Sequence, residues 1–197
     1  MESIALKILN TNALIKLEKE NEQLKNANEK KTREQLLDAI WDKITEYDSH
    51  ILDYESEQHI IDLTERGVEL VPVEKSHVEA QWDELFTPLV SKESKKHAKQ
   101  YNDQYKWHLF SFDLLEALKA DEARMAFDKT RKDTAYLFYQ YSEESFLVKN
   151  ASLLTAKDLD FDSAMDKADI YVFDPVEKWT YVKTHEGSCV PYFYSTK

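Results

Sequence analysis

Glycine is almost missing from this chain of 197 residues: there are two, Gly67 and Gly187. Phosphate-cradling loops, dinucleotide-binding turns and nucleophile elbows all need a residue that tolerates positive φ or a close approach of backbone to ligand. None of those motifs can be written with glycine at these two positions. Cysteine is rarer still. Cys189 is the single one, which excludes an internal disulfide framework and every multi-cysteine zinc motif, and points to a reducing cytoplasm. Long apolar runs are lacking as well, with stretches such as Tyr171-Val172-Phe173 typical, so no membrane span is expected. The N-terminus carries Glu2 in place of a basic segment and does not read as a signal peptide.

Positive charge is also in deficit. Lys and Arg number 26 against 38 acidic residues, for a formal net charge of −12. Phosphate binding needs clustered Lys and Arg, so a nucleic-acid groove is not expected. The acidity is uneven: between Leu37 and Glu65 nine acidic residues face Lys43 alone. Such a stretch is either a solvated helix face that keeps the protein soluble or a surface complementary to a basic protein, such as a toxin, nuclease or defence protein. Asp42, Glu46 and Asp53 are the candidate contact residues of the second reading.

What is present is enough apolar and aromatic sequence for a packed core, at 42% and 12% of the chain. No proline precedes Pro72 and no glycine precedes Gly67, and the opening stretch reads as helix. From about Ser3 to Glu29, Leu14, Leu17, Asn21, Leu24 and Asn28 recur by threes and fours as a short heptad track. Asn at an a position fixes register and a two-stranded state at some cost in stability. Leu14, Leu17, Asn21 and Leu24 are therefore candidate homodimer contacts, and an intramolecular hairpin serves equally well. A second helix is predicted from Thr32, which has capping-box spacing to Gln35, and continues through Leu37, Ile40, Ile44, Tyr47, Ile51, Tyr54 and Ile61. The two tracks are out of phase, so a bend is expected near Lys30-Lys31-Thr32. The boundary is placed at Gly67, giving a helical arm over 1–66 and an α+β domain over 67–197.

Within the second region Val68–Val73 alternates as a strand, and Pro72 confines it to an edge. Ser76 is set to cap a helix reaching Phe86, and a lysine-rich helix is expected over about Ser91 to Tyr101. Lys106–Phe112 is predicted as a strand and Leu114–Asp128 as a helix. Ala135–Gln140 and Ser145–Asn150 read as a hairpin. Thr155 is placed to cap a short helix reaching about Lys167, and Ile170–Phe173, Thr180–Lys183 and Pro191–Tyr194 end the pattern as strands. The fold class is α+β: a helical hairpin or coiled coil, then a largely antiparallel sheet with helices packed to one side.

Trp107-His-Leu-Phe-Ser-Phe112, Ala135-Tyr-Leu-Phe-Tyr-Gln140, Asp169-Ile-Tyr-Val-Phe-Asp174 and Trp179-Thr-Tyr-Val-Lys-Thr-His-Glu186, followed by Pro191-Tyr-Phe193, resemble an uncharacterised domain family of Bacillus-type bacteria. The closing strands also resemble small immunity-type bacterial proteins. The first resemblance implies a domain over the last two-thirds of the chain. Neither implies an activity.

His185, Glu186 and Cys189 are the most reactive-looking cluster, and a Cys beside a His is a route to a thiolate nucleophile. Hydrogen bonding of His185 and Glu186 to the loop around Gly187 accounts for them more simply, and no third orienting group is evident in the sequence. The six histidines form no metal motif, and Asp158, Asp160 and Asp162 start a calcium-like loop that has Ser163 where glycine is required. No cofactor and no metal are expected. Aromatics left off the buried sheet face, Tyr139, Trp179 and Tyr192, are candidate binding anchors beside His185 and Glu186. If the second face is covered by helices they are core instead. Taken together, the residues point to a non-catalytic, acidic, cytoplasmic protein-binding module of immunity, inhibitor or anti-defence type. The alternatives are a small enzyme using the His/Glu/Cys site and an assembly module organised by the N-terminal helices.

Overall fold

The computed structural model describes residues 11–90, 105–160, 167–186 and 190–196. The lysine-rich helix expected over 91–101, the start of the first helix, Asp162 and Cys189 lie outside these residues. The chain forms two compact units, Met1–Gln58 and His59–Lys197.

The first unit is helical. Helix α1 spans Thr11–Glu22 and α2 spans Ala27–Glu65, whose last turns belong to the second unit. The turn between them is set by Asn26, not by Thr32. The Asn26 side-chain oxygen accepts the backbone N–H groups of Asn28 and Glu29 at 3.1 and 3.2 Å, which is an N-cap. Glu29, three residues on, completes the spacing that the sequence also offers at Thr32 and Gln35, so the helix starts a turn and a half earlier. Thr32 sits inside the helix and donates to the Asn28 carbonyl at 3.0 Å. The two helices form a hairpin: Trp41 Nε1 donates to Glu18 Oε1 at 2.7 Å, and Asn21, Leu37 and Ile44 are buried. Leu14 and Leu24 are half-buried and Leu17 is exposed.

The second unit opens where α2 stops. The N–H of Gly67 bonds the Thr64 carbonyl at 2.9 Å and that of Val68 bonds the Leu63 carbonyl at 3.0 Å. With φ of 96° at Gly67 this is a Schellman stop, and Leu63 and Val68 share one apolar cluster. The strands are β1 Glu69–Pro72, β2 Leu118–Lys119, β3 Thr134–Tyr139, β4 Ser145–Lys149, β5 Ile170–Asp174, β6 Trp179–Lys183 and β7 Tyr192–Ser195. They form one antiparallel sheet in the order β1-β4-β3-β5-β6-β7-β2. The strand carrying Pro72 is at an edge, as its missing N–H requires.

The helices are α3 Lys75–Phe86, α4 His108–Ser111, α5 Ala120–Lys129 and α6 Ala156–Leu159. They cover both faces of the sheet, not one. Ala135, Leu137, Ile170, Val172, Trp179, Tyr181 and Phe193 pack with Ala123 and Phe127 of α5. Their alternates Phe138, Tyr171, Phe173, Val182 and Tyr192 pack with Val78, Trp82 and Phe86 of α3 and with Leu109 and Phe110 of α4. Both alternating sets are apolar, so neither face could be left in water. Trp82 centres the second layer, with its Nε1–H donated to Thr180 Oγ1 at 3.0 Å.

Three local expectations change. The Lys106–Phe112 stretch folds as α4, because a short apolar run without strict alternation does not separate strand from buried helix. The helix expected from Leu114 starts at Ala120, as Leu118 and Lys119 pair with Phe193 and Tyr192. Ser76 does not cap α3; it donates to Glu74 Oε1 at 2.5 Å, and the helix begins at Lys75. The Thr155 cap does form, as a capping box with Asp158, and α6 spans Ala156–Leu159; most of the remaining stretch to Lys167 falls on 161–166, outside the described residues.

Candidate functional site

Two places bring polar chemistry together. The first lies where β3 and β6 end and β5 begins. The register that pairs Ile170 with Lys183 sets Asp169 opposite Thr184, one residue from His185. Asp169 is buried, and its carboxylate accepts the backbone N–H of His185 at 2.7 Å. His185 Nδ1 lies 2.9 and 3.0 Å from the two oxygens. A carboxylate only accepts, so Nδ1 carries the proton and Nε2 is left as the basic nitrogen. The imidazole is 19% exposed. It lies 5.3 Å from the Tyr105 ring and 6.1 Å from that of Trp107, centroid to centroid.

This arrangement is fixed from behind. Tyr171 donates its hydroxyl proton to Gln140 Oε1 at 2.7 Å and accepts the Trp107 backbone N–H at 3.1 Å. Burial, followed by the charge of Asp169, holds the Tyr171 hydroxyl well above its usual pKa, so it stays a donor. Lys106 Nζ reaches both Asp83 oxygens at 2.7 and 2.8 Å and Glu79 at 3.2 Å. Burial pushes the Asp83 carboxyl up, against the opposing ammonium of Lys106. His108, with Nδ1 3.1 Å from Ser111 Oγ, is pushed below the usual histidine range by burial, against the pull of Glu186 and Asp169. Trp107 Nε1 is buried with no hydrogen-bond partner among the described residues. Among those residues no group of three or more His, Cys, Asp or Glu is placed to hold a metal ion. Chemically, the cluster holds one oriented imidazole backed by a buried carboxylate, which is a general-base arrangement.

The second place is the outer face of α2. Leu36, Ile40, Tyr47 and Tyr54 follow helical spacing on one side and are 62, 44, 48 and 60% exposed. Beside this row Glu46 and Asp53 are exposed, and Asp42 is exposed farther round, on the flank turned away from the face that holds Leu37, Trp41 and Ile44 against α1. Lys43, within the row, is drawn to that acidic flank by its 2.5 Å pair with Glu46.

The expected site residues divide accordingly. Asp42, Glu46 and Asp53 are on the surface, and His185 and Glu186 are at the sheet end. Tyr139, Trp179 and Tyr192, expected as half-exposed anchors, are buried in the two aromatic layers. Sequence reasoning missed Asp169, Tyr105 and Tyr171. Asp169 was within reach, since pairing the β5 and β6 segments as a hairpin brings it to His185.

The family described as Domain of unknown function (DUF4275) matches residues 58–193. The chain belongs to this family. The match starts one residue before the second compact unit and takes in all of the sheet except the last residues of β7, together with Asp169 and His185. No curated protein and no solved structure shows significant similarity. Among the described residues no helix is long and apolar enough to cross a membrane.

Proposed function

We propose that this DUF4275 protein is a non-catalytic, cytoplasmic binding module that occludes a partner protein, in the manner of an immunity, inhibitor or anti-defence protein. The observation that carries the reading is the exposed apolar row Leu36, Ile40, Tyr47 and Tyr54 beside Asp42, Glu46 and Asp53. Isolated exposed apolar residues are ordinary, but four large ones on one helix face with carboxylates along one border have the composition of an interface. With the sheet aromatics committed to the core, the anchors shift from Trp179 and Tyr192 to α2.

The test is a photo-crosslinking residue at position 47 in cells of the native host, with position 122 on α5 as control. A protein captured at 47 and not at 122, whose activity falls when the chain is co-expressed, is the expected outcome. Equal capture at both positions, or undiminished partner activity, removes the reading.

A second reading keeps the His185–Asp169 pair as the base of a small enzyme, and the buried carboxylate on Nδ1 is what favours it. His185→Ala, folded and still crosslinking at position 47, should retain inhibition of the partner. Loss of function with binding intact transfers the weight to catalysis.

A further inference from the structure

From the outer face of α2 we infer that the partner segment is a basic amphipathic helix, docked along Leu36, Ile40, Tyr47 and Tyr54. This rests on the binding reading above and names the chemistry of its partner. The apolar row runs from Leu36 to Tyr54 of uninterrupted helix, about 27 Å at 1.5 Å per residue. That length matches five turns of a second helix and is narrow enough for a single ridge-into-groove contact. One border of the row is already occupied: Leu37 and Ile44 are buried, and Trp41 is bonded to Glu18 of α1. The open border carries Glu46, Asp53 and Glu57, all exposed, with Asp42 exposed farther round the helix.

A helix seated on the row therefore lies between α1 and a line of carboxylates. Its apolar residues meet Ile40, Tyr47 and Tyr54, and the residues beside them face acid, which selects Lys or Arg there. Lys43, within the row, is paired with Glu46, so the demand for Lys or Arg on the docked helix falls chiefly on Asp53 and Glu57. A second copy of this chain packed antiparallel would bring the same carboxylates against each other, which is repulsive.

Two fluorescent peptides of about 20 residues test the inference on the full chain. Both are helical, with leucines at matching i, i+3, i+4 and i+7 positions; one has lysine borders and the other glutamate borders. The lysine peptide is expected to bind at least roughly tenfold tighter by anisotropy, with an advantage that shrinks as salt rises. Tyr47→Glu should abolish its binding, and Asp42→Lys, Glu46→Lys and Asp53→Lys together should reverse the peptide preference, each with an unchanged circular dichroism spectrum. Equal affinity for the two peptides, or binding that survives Tyr47→Glu, overturns the inference. So does a wild-type dimer in sedimentation equilibrium that Tyr47→Glu breaks, since the row is then covered by a second copy. A host protein that crosslinks at position 47 while neither peptide binds sinks the basic helix and leaves the binding reading standing; absence of any such crosslink sinks the binding reading itself.

Discussion

Asp169 and Asp158 are both buried carboxylates, and their partners decide what each does. Asp169 takes a backbone N–H and the imidazole N–H from the same residue, His185. Asp169→Asn offers one acceptor oxygen in place of two and turns an amide N–H toward a donor. The expected cost is about 2–3 kcal/mol in urea unfolding, together with a change in the His185 ring ¹⁵N shifts as Nδ1 loses its partner; unchanged shifts contradict the arrangement. Asp158 caps α6. Burial pushes its carboxyl up, but the Arg66 guanidinium and the hydrogen bonds from Thr155 outweigh burial and hold it below the usual range. A carboxyl depressed on folding stabilises fully above its unfolded pKa, about 3.9, and that contribution fades as pH falls through the lower folded value. Asp158→Asn should therefore be less stable than the parent at neutral pH, by about 1 kcal/mol for the lost cap. The gap should narrow below about pH 4; a constant gap across that range argues against the linkage.

Elements are punctuated by single residues, and Gly67 is the clearest case. At φ of 96° a side chain is strained whatever the space, and a Cβ there would also meet Leu153 Cδ1 at 3.4 Å. Gly67→Ala is expected to cost about 1–2 kcal/mol in chemical denaturation; a neutral substitution shows that the helix stop tolerates rearrangement. How much was legible in the sequence follows the same local logic. The β3–β4 and β5–β6 hairpins, the Pro72 edge strand, the Thr155 cap and the end of α2 at Gly67 each have a near-neighbour cause, and each reads directly. Elements decided by distant partners do not. Lys106–Phe112 became helix because Trp107, Leu109 and Phe110 fill the layer around Trp82, and Leu118–Lys119 became strand because β7 lies beside it. Coverage of both faces was visible in the doubled apolar alternation of β3 and β5, whereas the joining of Asp169 to His185 needed the strand register.

The whole molecule divides ahead of Gly67, between Gln58 and His59, which leaves Leu63 in the second unit. Its side chain is buried in the same cluster as Val68, Val148 and Ile170. A fragment of residues 59–197 is expected to unfold cooperatively, whereas 67–197 loses Leu63 and should be weaker by about 2–4 kcal/mol. Equal midpoints for the two fragments deny Leu63 that role. The order of the strands carries a consequence of another kind. Both edge strands are held by pairings remote along the chain, Glu69 with Lys149 at one side and Leu118 with Phe193 at the other. The central hairpins close over a few residues, while the outer strands wait on large loops that cost entropy before any contact repays it. Folding of the second unit should therefore be slow for its size and proceed outward from β3–β4 and β5–β6. In stopped-flow refolding with pulsed hydrogen exchange, amides of β5 and β6 are expected to gain protection first and those of β1 and β2 last. Until then the centre of the sheet has unpaired rims, and that interval is when the chain is most exposed to joining with its neighbours.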